Sequence, residues 1–286
     1  MENIVIIGAG PAGISAALYA ARGNMNPLVI NNGIGALEKA EKIENYYGLE
    51  QPLSGKELYE RGIAQAKALG VRILDAEVLG ISGFDTFTVK TTAGDFDTVS
   101  VILATGGKRS APKIPGLKEF EGRGVSYCAV CDAFFYRNKN VGVLGSGEYA
   151  LHEAKILAKT SKSVTVFTNG EEPTAVFPSE FTIVKEPLST LTGEAKIEKA
   201  VLRDGTEVKI DGLFVAYGVA SSAALAQKAG AVSIGGKIRV NDSMMTNVNG
   251  LFAAGDCTGG LLQVSKAVGD GAAAGMAIIK YVKREK

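Results

Sequence analysis

The stretch Asn3-Ile-Val-Ile-Ile-Gly8-Ala-Gly10-Pro-Ala-Gly13 decides the fold. An apolar, β-branched run meets glycines at 8, 10 and 13, and Ile14, Ala17, Leu18 and Ala21 then recur at helical spacing, so the segment reads as strand, glycine turn, helix. A second apolar run, Leu28–Ile30, completes a βαβ unit of about thirty residues. In that setting Gly8, Gly10 and Gly13 give a tight turn, close backbone approach to a pyrophosphate and close helix–strand packing. The helix that opens at Pro11 and Ala12 turns unpaired N–H groups and its positive dipole end toward the phosphates. Outside such a unit the motif is only a βα turn. The acidic ribose partner expected about twenty residues on is missing. The strand ends in Asn31-Asn32, whose amides can bond a hydroxyl without the help of a charge.

The pattern returns later in the chain. Val141-Gly-Val-Leu144 leads into Gly145-Ser-Gly147-Glu-Tyr-Ala150, a helix through Ala154 and Leu157, and the strand Val164–Phe167. Glu148 and Tyr149 are bulkier than such a turn usually carries and reach into the space of a dinucleotide. Between the two units, alternating residues at Phe87–Thr91 and Val99–Ala104 end in Ala104-Thr-Gly106 and the turn Ile114-Pro-Gly116. Beyond the second unit, Gly250-Leu-Phe-Ala-Ala-Gly255-Asp256 opens a glycine- and alanine-rich final helix, which can return to the first domain. An α/β protein with two Rossmann-like dinucleotide-binding units is predicted, with a first boundary near residue 116.

Composition limits the function classes. The 286 residues, 46% hydrophobic, can bury ample core, and 36 scattered glycines suit many tight βα turns. The charge of +1, from 31 basic and 30 acidic side chains, supplies no field for a polyanion, so nucleic acid is not an expected partner. No apolar run approaches the ~20 residues of a membrane span, and the start lacks a basic leader, so a cytoplasmic protein with no membrane partner is expected.

Three cysteines are too few for a disulfide framework, so a close pair points to redox or metal chemistry. In Cys128-Ala-Val-Cys131-Asp132 the two-residue gap lets both sulfurs meet in a helical turn or tight loop, where backbone N–H groups favour thiolate. Asp132 adjoins the second cysteine and can shuttle a proton. Zinc would need Cys257 and His152, the remaining cysteine and the sole histidine, to converge on the pair, so no metal is expected; an inert buried pair stays open. Cys257 reads as a small buried hydrophobe more readily than as a third redox partner, and His152 as a polar helix residue more readily than as a base.

These residues resemble the low-molecular-weight thioredoxin reductases. The likeness runs through the glycine motif, Ile43-Glu-Asn-Tyr46, Ala104-Thr-Gly106, Ile114-Pro-Gly116, the Cys128–Asp132 segment, Phe134-Phe-Tyr-Arg-Asn138 and Gly250–Asp256. It implies a discontinuous FAD domain built from both chain ends, residues 1–116 and 244–286, a smaller inserted central domain, 117–243, carrying the dithiol, and a homodimer. It implies a partner-attacking Cys128, a flavin-facing Cys131 and Asp132 as general acid. The FAD positions it assigns, together with the first motif, are Gly8, Gly10, Pro11, Ala12, Gly13, Asn31, Asn32, Asn45, Val78, Ala104, Thr105, Gly106, Gly255, Asp256, Gln263 and Val264. The family's glycine-glutamine near the flavin reads Gly35-Ala36 here, which removes one side-chain contact. Electrons would run from flavin to the Cys128–Cys131 disulfide and on to thioredoxin by thiol–disulfide exchange.

The likeness fails at the electron donor. NADPH needs basic side chains for its 2′-phosphate just past the strand ending at Phe167, where the family carries a His-Arg-Arg motif. No Arg or Lys occurs from Val164 to Val184, and Glu171 and Glu172 stand there instead. The family's His-x-Pro segment is replaced by Val219-Ala-Ser221. The combination resembles the ferredoxin-dependent flavin thioredoxin reductases of clostridial type, in which an acidic iron–sulfur protein supplies electrons singly. Lys155, Lys159 and Lys162 then read as part of a basic docking face or, more blandly, as a solvated helix face. An NADPH- or NADH-dependent thioredoxin reductase, a reductase of another disulfide and a flavin-binding redox sensor are the alternatives.

Overall fold

The computed structural model describes residues 2–107 and 112–284. The chain opens with β1 (Glu2–Ile7), α1 (Pro11–Arg22), β2 (Leu28–Asn31), α2 (Gly55–Ala68), β3 (Arg72–Asp75), β4 (Val78–Ser82), β5 (Phe87–Thr91) and β6 (Gly94–Leu103). It continues with β7 (Val125–Ser126), α3 (Ala129–Asp132), β8 (Asn140–Leu144), α4 (Glu148–Ala158), β9 (Ser163–Phe167), β10 (Thr182–Val184), β11 (Leu188–Thr192), β12 (Lys199–Leu202), β13 (Glu207–Lys209) and β14 (Gly212–Val215). It closes with α5 (Ser222–Lys228), β15 (Ser233–Ile234), β16 (Lys237–Ile238), β17 (Leu251–Ala253) and α6 (Val264–Arg284).

Two compact units result: residues 1–108 with 221–286, and residues 109–220. In the first, β3, β2, β1, β6 and β17 run parallel, while β4 and β5 pair antiparallel along the first half of β6. Ile7 pairs with Ile30 on one side and Leu103 on the other, so the glycine turn leaves the sheet at the point where strand order reverses. Such a switch point opens a crevice at the strand ends. Below it, Ile4, Ile6, Val29, Ile102 and Phe252 pack with Ala16, Ala17, Ala20 and Ile278 into one core. Helices α1 and α6 touch through residues too small to hold them apart. A Cβ on Gly271 would stand 2.1 Å from the Ala12 carbonyl oxygen, and one on Gly275 2.8 Å from that of Ala16.

The second unit stacks β10, β9, β8, β14 and β7 as an all-parallel sheet beside an antiparallel β11–β12–β13 sheet. Its core joins Val125, Leu144, Phe167, Leu213 and Val215. Both sequence-based boundaries shift. Ile114, Leu117 and Phe120 belong to this second core, and Leu191 N–H bonds the Pro115 carbonyl at 2.9 Å, so the first crossing precedes 116. Residues 221–243 return with the first unit instead of closing the second. Lys228 Nζ donates to the Leu79 carbonyl at 3.3 Å and Lys237 Nζ to that of Asp256 at 2.7 Å. Glycine and proline mark where the chain turns, but these contacts decide which core a segment joins.

Candidate active site

In the first unit the glycine turn is both tight and open. Gly8 has a φ of +108°, and a Cβ on it would lie 2.4 Å from the Ala104 carbonyl oxygen. One on Gly13 would lie 1.8 Å from the Gly8 carbonyl oxygen, so strand, turn and helix are in backbone contact. A Cβ on Gly10, the N-cap of α1, would have no atom beyond its chain neighbours and its own helix within 4 Å, and no side chain caps the helix. A backbone cradle with open space over an uncapped helix N-terminus fits a pyrophosphate, which is the anion FAD would bring.

Several predicted cofactor residues gather at this end of the sheet. Ala104, Thr105 and Gly106 follow β6, and the Thr105 hydroxyl pairs with that of the buried Ser222. Gly255, at φ +84°, presses on Ala12, where a Cβ would come within 2.9 Å of that alanine's own. Asp256 is half-buried beside Gly107. Asn45 Nδ2 donates to Gln263 Oε1 at 3.0 Å, both side chains exposed, and Val264 begins α6.

Asn31 and Asn32 part company. Asn32 is exposed, whereas Asn31 Nδ2 donates to Asp75 Oδ1 at 2.6 Å and its Oδ1 accepts from the Tyr59 hydroxyl at 2.9 Å. Burial first, and Asp75 in part, raise the Tyr59 hydroxyl pKa. The carboxylate missing from the end of β2 therefore stands on its register partner in β3. Val78, just past it, is buried.

The loop holding Gly255 and Asp256 is clamped by a pair that motif reading missed. Lys266 Nζ donates to the carbonyls of Gly255 at 2.9 Å and Gly259 at 2.6 Å, and forms an ion pair with Asp270 at 2.7 Å. Asp270 Oδ2 accepts the Gly255 N–H at 3.0 Å. The four-residue spacing of Lys266 and Asp270 on one helix was the available signal. Cys257 lies beneath, its Sγ donating to the Ala254 and Leu103 carbonyls at 3.3 and 3.4 Å. Burial pushes its thiol pKa up to about 11, which keeps it protonated and inert at neutral pH.

In the second unit Cys128 and Cys131 form a disulfide, with Cα atoms 5.3 Å apart. Cys128 caps α3, and its Sγ accepts the Cys131 N–H at 3.2 Å. Ser126 organises the turn: its hydroxyl donates to Asp132 Oδ2 at 2.7 Å and accepts the Cys128 N–H at 3.1 Å. Asp132 is thereby held against the dithiol turn by a buried serine that lies two residues before the CxxCD motif. Glu153, 1% exposed, accepts the Ala129 N–H at 2.8 Å. A carboxylate on the buried stripe of α4 was the sequence signal for it. Cys128 is buried and Cys131 exposed. Among the described residues, no group of three or more His, Cys, Asp or Glu is arranged to hold a metal ion.

The second glycine turn differs from the first. Ser146 Oγ donates to Glu171 Oε2 at 2.6 Å, and the Tyr217 hydroxyl donates to Glu171 Oε1. The N–H groups of Thr174 and Ala175 bond the Ser146 carbonyl at 2.9 and 3.3 Å, so the segment after β9 lies across the turn. Tyr149, buried on α4, has its hydroxyl pKa raised by burial and by Glu153. His152 is half-buried, and Lys155, Lys159 and Lys162 are exposed.

Residues 2–271 match the family described as pyridine nucleotide-disulphide oxidoreductase. A thioredoxin reductase of Treponema pallidum (strain Nichols) is 37% identical over 98% of this chain and 97% of its own. The chain belongs to the thioredoxin reductase family. It is an oxidoreductase of the flavoprotein kind, and its cofactor is FAD. The crystal structure of the atypical thioredoxin reductase from Desulfovibrio vulgaris Hildenborough is 38% identical and superposes with a TM-score of 0.94, over 100% of this chain and 99% of that one. A ferredoxin-flavin thioredoxin reductase from Clostridium acetobutylicum is 32% identical over 99% and 98% of the two chains, with a TM-score of 0.75.

Proposed function

We propose that this enzyme is a thioredoxin reductase whose electrons come from reduced ferredoxin, and that it works as a cytoplasmic homodimer. The output half rests on the Cys128–Cys131 disulfide and the names of the full-length relatives. The donor rests on one observation. Past β9 no Arg or Lys occurs before Lys185, which is tied to Glu172 at 2.6 Å, and Glu171 is turned into the glycine turn where a nucleotide would need room. The Clostridium relative's ferredoxin supports the same reading. Among the described residues no helix is long and apolar enough to cross a membrane.

FAD supplies the change from single-electron input to two-electron output. Its contacts would come from the first glycine turn, from Asn45, Ala104–Gly106, Gly255, Asp256, Gln263 and Val264, and from the Asn31–Asp75 edge near Val78. Two electrons and two protons convert the Cys128–Cys131 disulfide to a dithiol. The Cys128 thiolate attacks one sulfur of the thioredoxin disulfide and displaces the other, giving a mixed disulfide. Cys131 then attacks Cys128, which restores the internal disulfide and releases the second thioredoxin thiol. Asp132, held by Ser126, gives protons to the departing thiolates. Because Cys128 is buried, it must be uncovered before the exchange begins. Lys155, Lys159 and Lys162 offer exposed positive charge to an acidic donor.

Anaerobic titration tests the donor. Dithionite-reduced ferredoxin should bleach the bound flavin and open the disulfide, while NADPH and NADH leave both unchanged. Rapid bleaching by NADPH at about micromolar concentration, within the ordinary range of KM values, would sink the reading.

A further inference from the structure

We propose that Glu171 is the specificity residue that shuts the second nucleotide fold, its carboxylate acting as an internal anion latched across the glycine turn. This deepens the ferredoxin reading and rests on it. The latch has two catches from two different elements. Ser146, buried within the Gly145–Gly147 turn, gives its hydroxyl proton to Oε2 at 2.6 Å, and Tyr217, just past β14, gives its own to Oε1. The backbone reinforces them, since the Ser146 carbonyl takes the N–H groups of both Thr174 and Ala175. A Cβ on Gly147 would meet Thr174 Oγ1 at 3.3 Å, whereas Gly10, at the equivalent cap of the first unit, has nothing within 4 Å. A pyrophosphate entering this turn would displace the Thr174 segment and meet a carboxylate of its own sign.

The same carboxylate has one rival use. An acid about twenty residues past the glycines can hold an adenosine ribose, which would make this an NADH site. Both Glu171 oxygens already accept from hydroxyls of their own chain, which is the arrangement of a latch and not of an open acceptor.

Binding of NADH and of ADP to the FAD-loaded enzyme, read by titration calorimetry, separates the two. The intact protein should show no binding at about 1 mM, while Glu171→Ala should bind both ligands at least about tenfold more tightly. Tyr217→Phe, which removes one catch and keeps the carboxylate, should fall between them. Unchanged flavin content checks that each variant is folded. If the intact enzyme binds NADH and Glu171→Ala weakens it, Glu171 is a ribose acceptor and the latch is wrong. If intact enzyme and variants alike fail to bind, something else closes the turn and the latch is again wrong. The ferredoxin titration of the same preparations reads the donor separately, so either idea can fall without the other.

Discussion

The two glycine turns of this protein share strand, turn and helix, yet only one is open. At the first, backbone contacts at Gly8 and Gly13 leave clear space over Gly10. At the second, Gly145 likewise presses on the backbone, 2.2 Å from Ala216 O to its would-be Cβ, but the space above is crossed by Glu171 and Thr174. The lesson concerns what such a motif reports. Its buried glycines are demanded by helix–strand packing and persist with the fold, whereas ligand binding depends on what the chain places over the outer glycine.

The contrast can be broken at several strengths. The closed unit is left with the dithiol as its chemistry, so Cys131→Ser should lower thioredoxin reduction by at least about a thousandfold while the flavin stays reducible; retained turnover would overturn the assigned sulfur roles. Asp132→Asn should slow the steady state about 10²- to 10⁴-fold, with a changed pH–rate profile marking the loss of a proton donor; an unaltered profile would reduce Asp132 to a structural partner of Ser126.

Next come the outer glycines. Gly10→Ala meets no atom of the protein, so the thermal midpoint of the apoprotein should hold while FAD binds at least about tenfold more weakly. Gly147→Ala, whose Cβ meets Thr174 Oγ1 at 3.3 Å, should leave FAD binding unchanged, and equal losses of FAD affinity at the two positions would erase the distinction.

Smallest is a titration. The hydrogen bond to Glu171, then burial and the Glu171 charge, raise the Tyr217 hydroxyl pKa from its ordinary 10.0 to about 12. The folded protein therefore keeps this proton after the unfolded chain has lost it. The resulting stabilisation is complete below pH 10 and is lost as pH rises through about 12. Among the late-titrating tyrosines, Tyr149 included, tyrosinate absorbance should show a component near 12 that vanishes in Tyr217→Phe and moves back toward 10 in Glu171→Gln. Its absence from the intact protein would dissolve the Tyr217 catch.

Local chemistry made much of this legible in the sequence. Glycines at 8, 10 and 13, the β-branched strands beside them and the Cys128–Cys131 spacing each impose their geometry within a few residues, and the fold follows them. What escaped was long-range. Asn31 showed a missing acid, but only strand register could reveal Asp75 beside it. The absence of basic residues after Phe167 was visible, yet the bond from Glu171 to Ser146 joins elements that meet only in the folded sheet. Ser126 and Glu153 carry no motif at all, being a buried serine and a carboxylate on an apolar helix face. The domain boundaries moved for the same reason: turn residues announce that the chain bends, not which core receives it.

The return of the chain end to the first unit also sets an order of assembly. The strand Leu251–Ala253 lies beside β6, and α6 rests on α1 through Gly271 and Gly275. A ribosome delivers residues 109–220 complete before either of these pieces exists. The unit bearing the cysteine pair can thus mature during synthesis, while the cofactor-bearing half waits for the last helix to emerge. A nascent chain arrested before residue 250 would hold a finished disulfide turn and half a flavin site, with the apolar underside of α1 still uncovered.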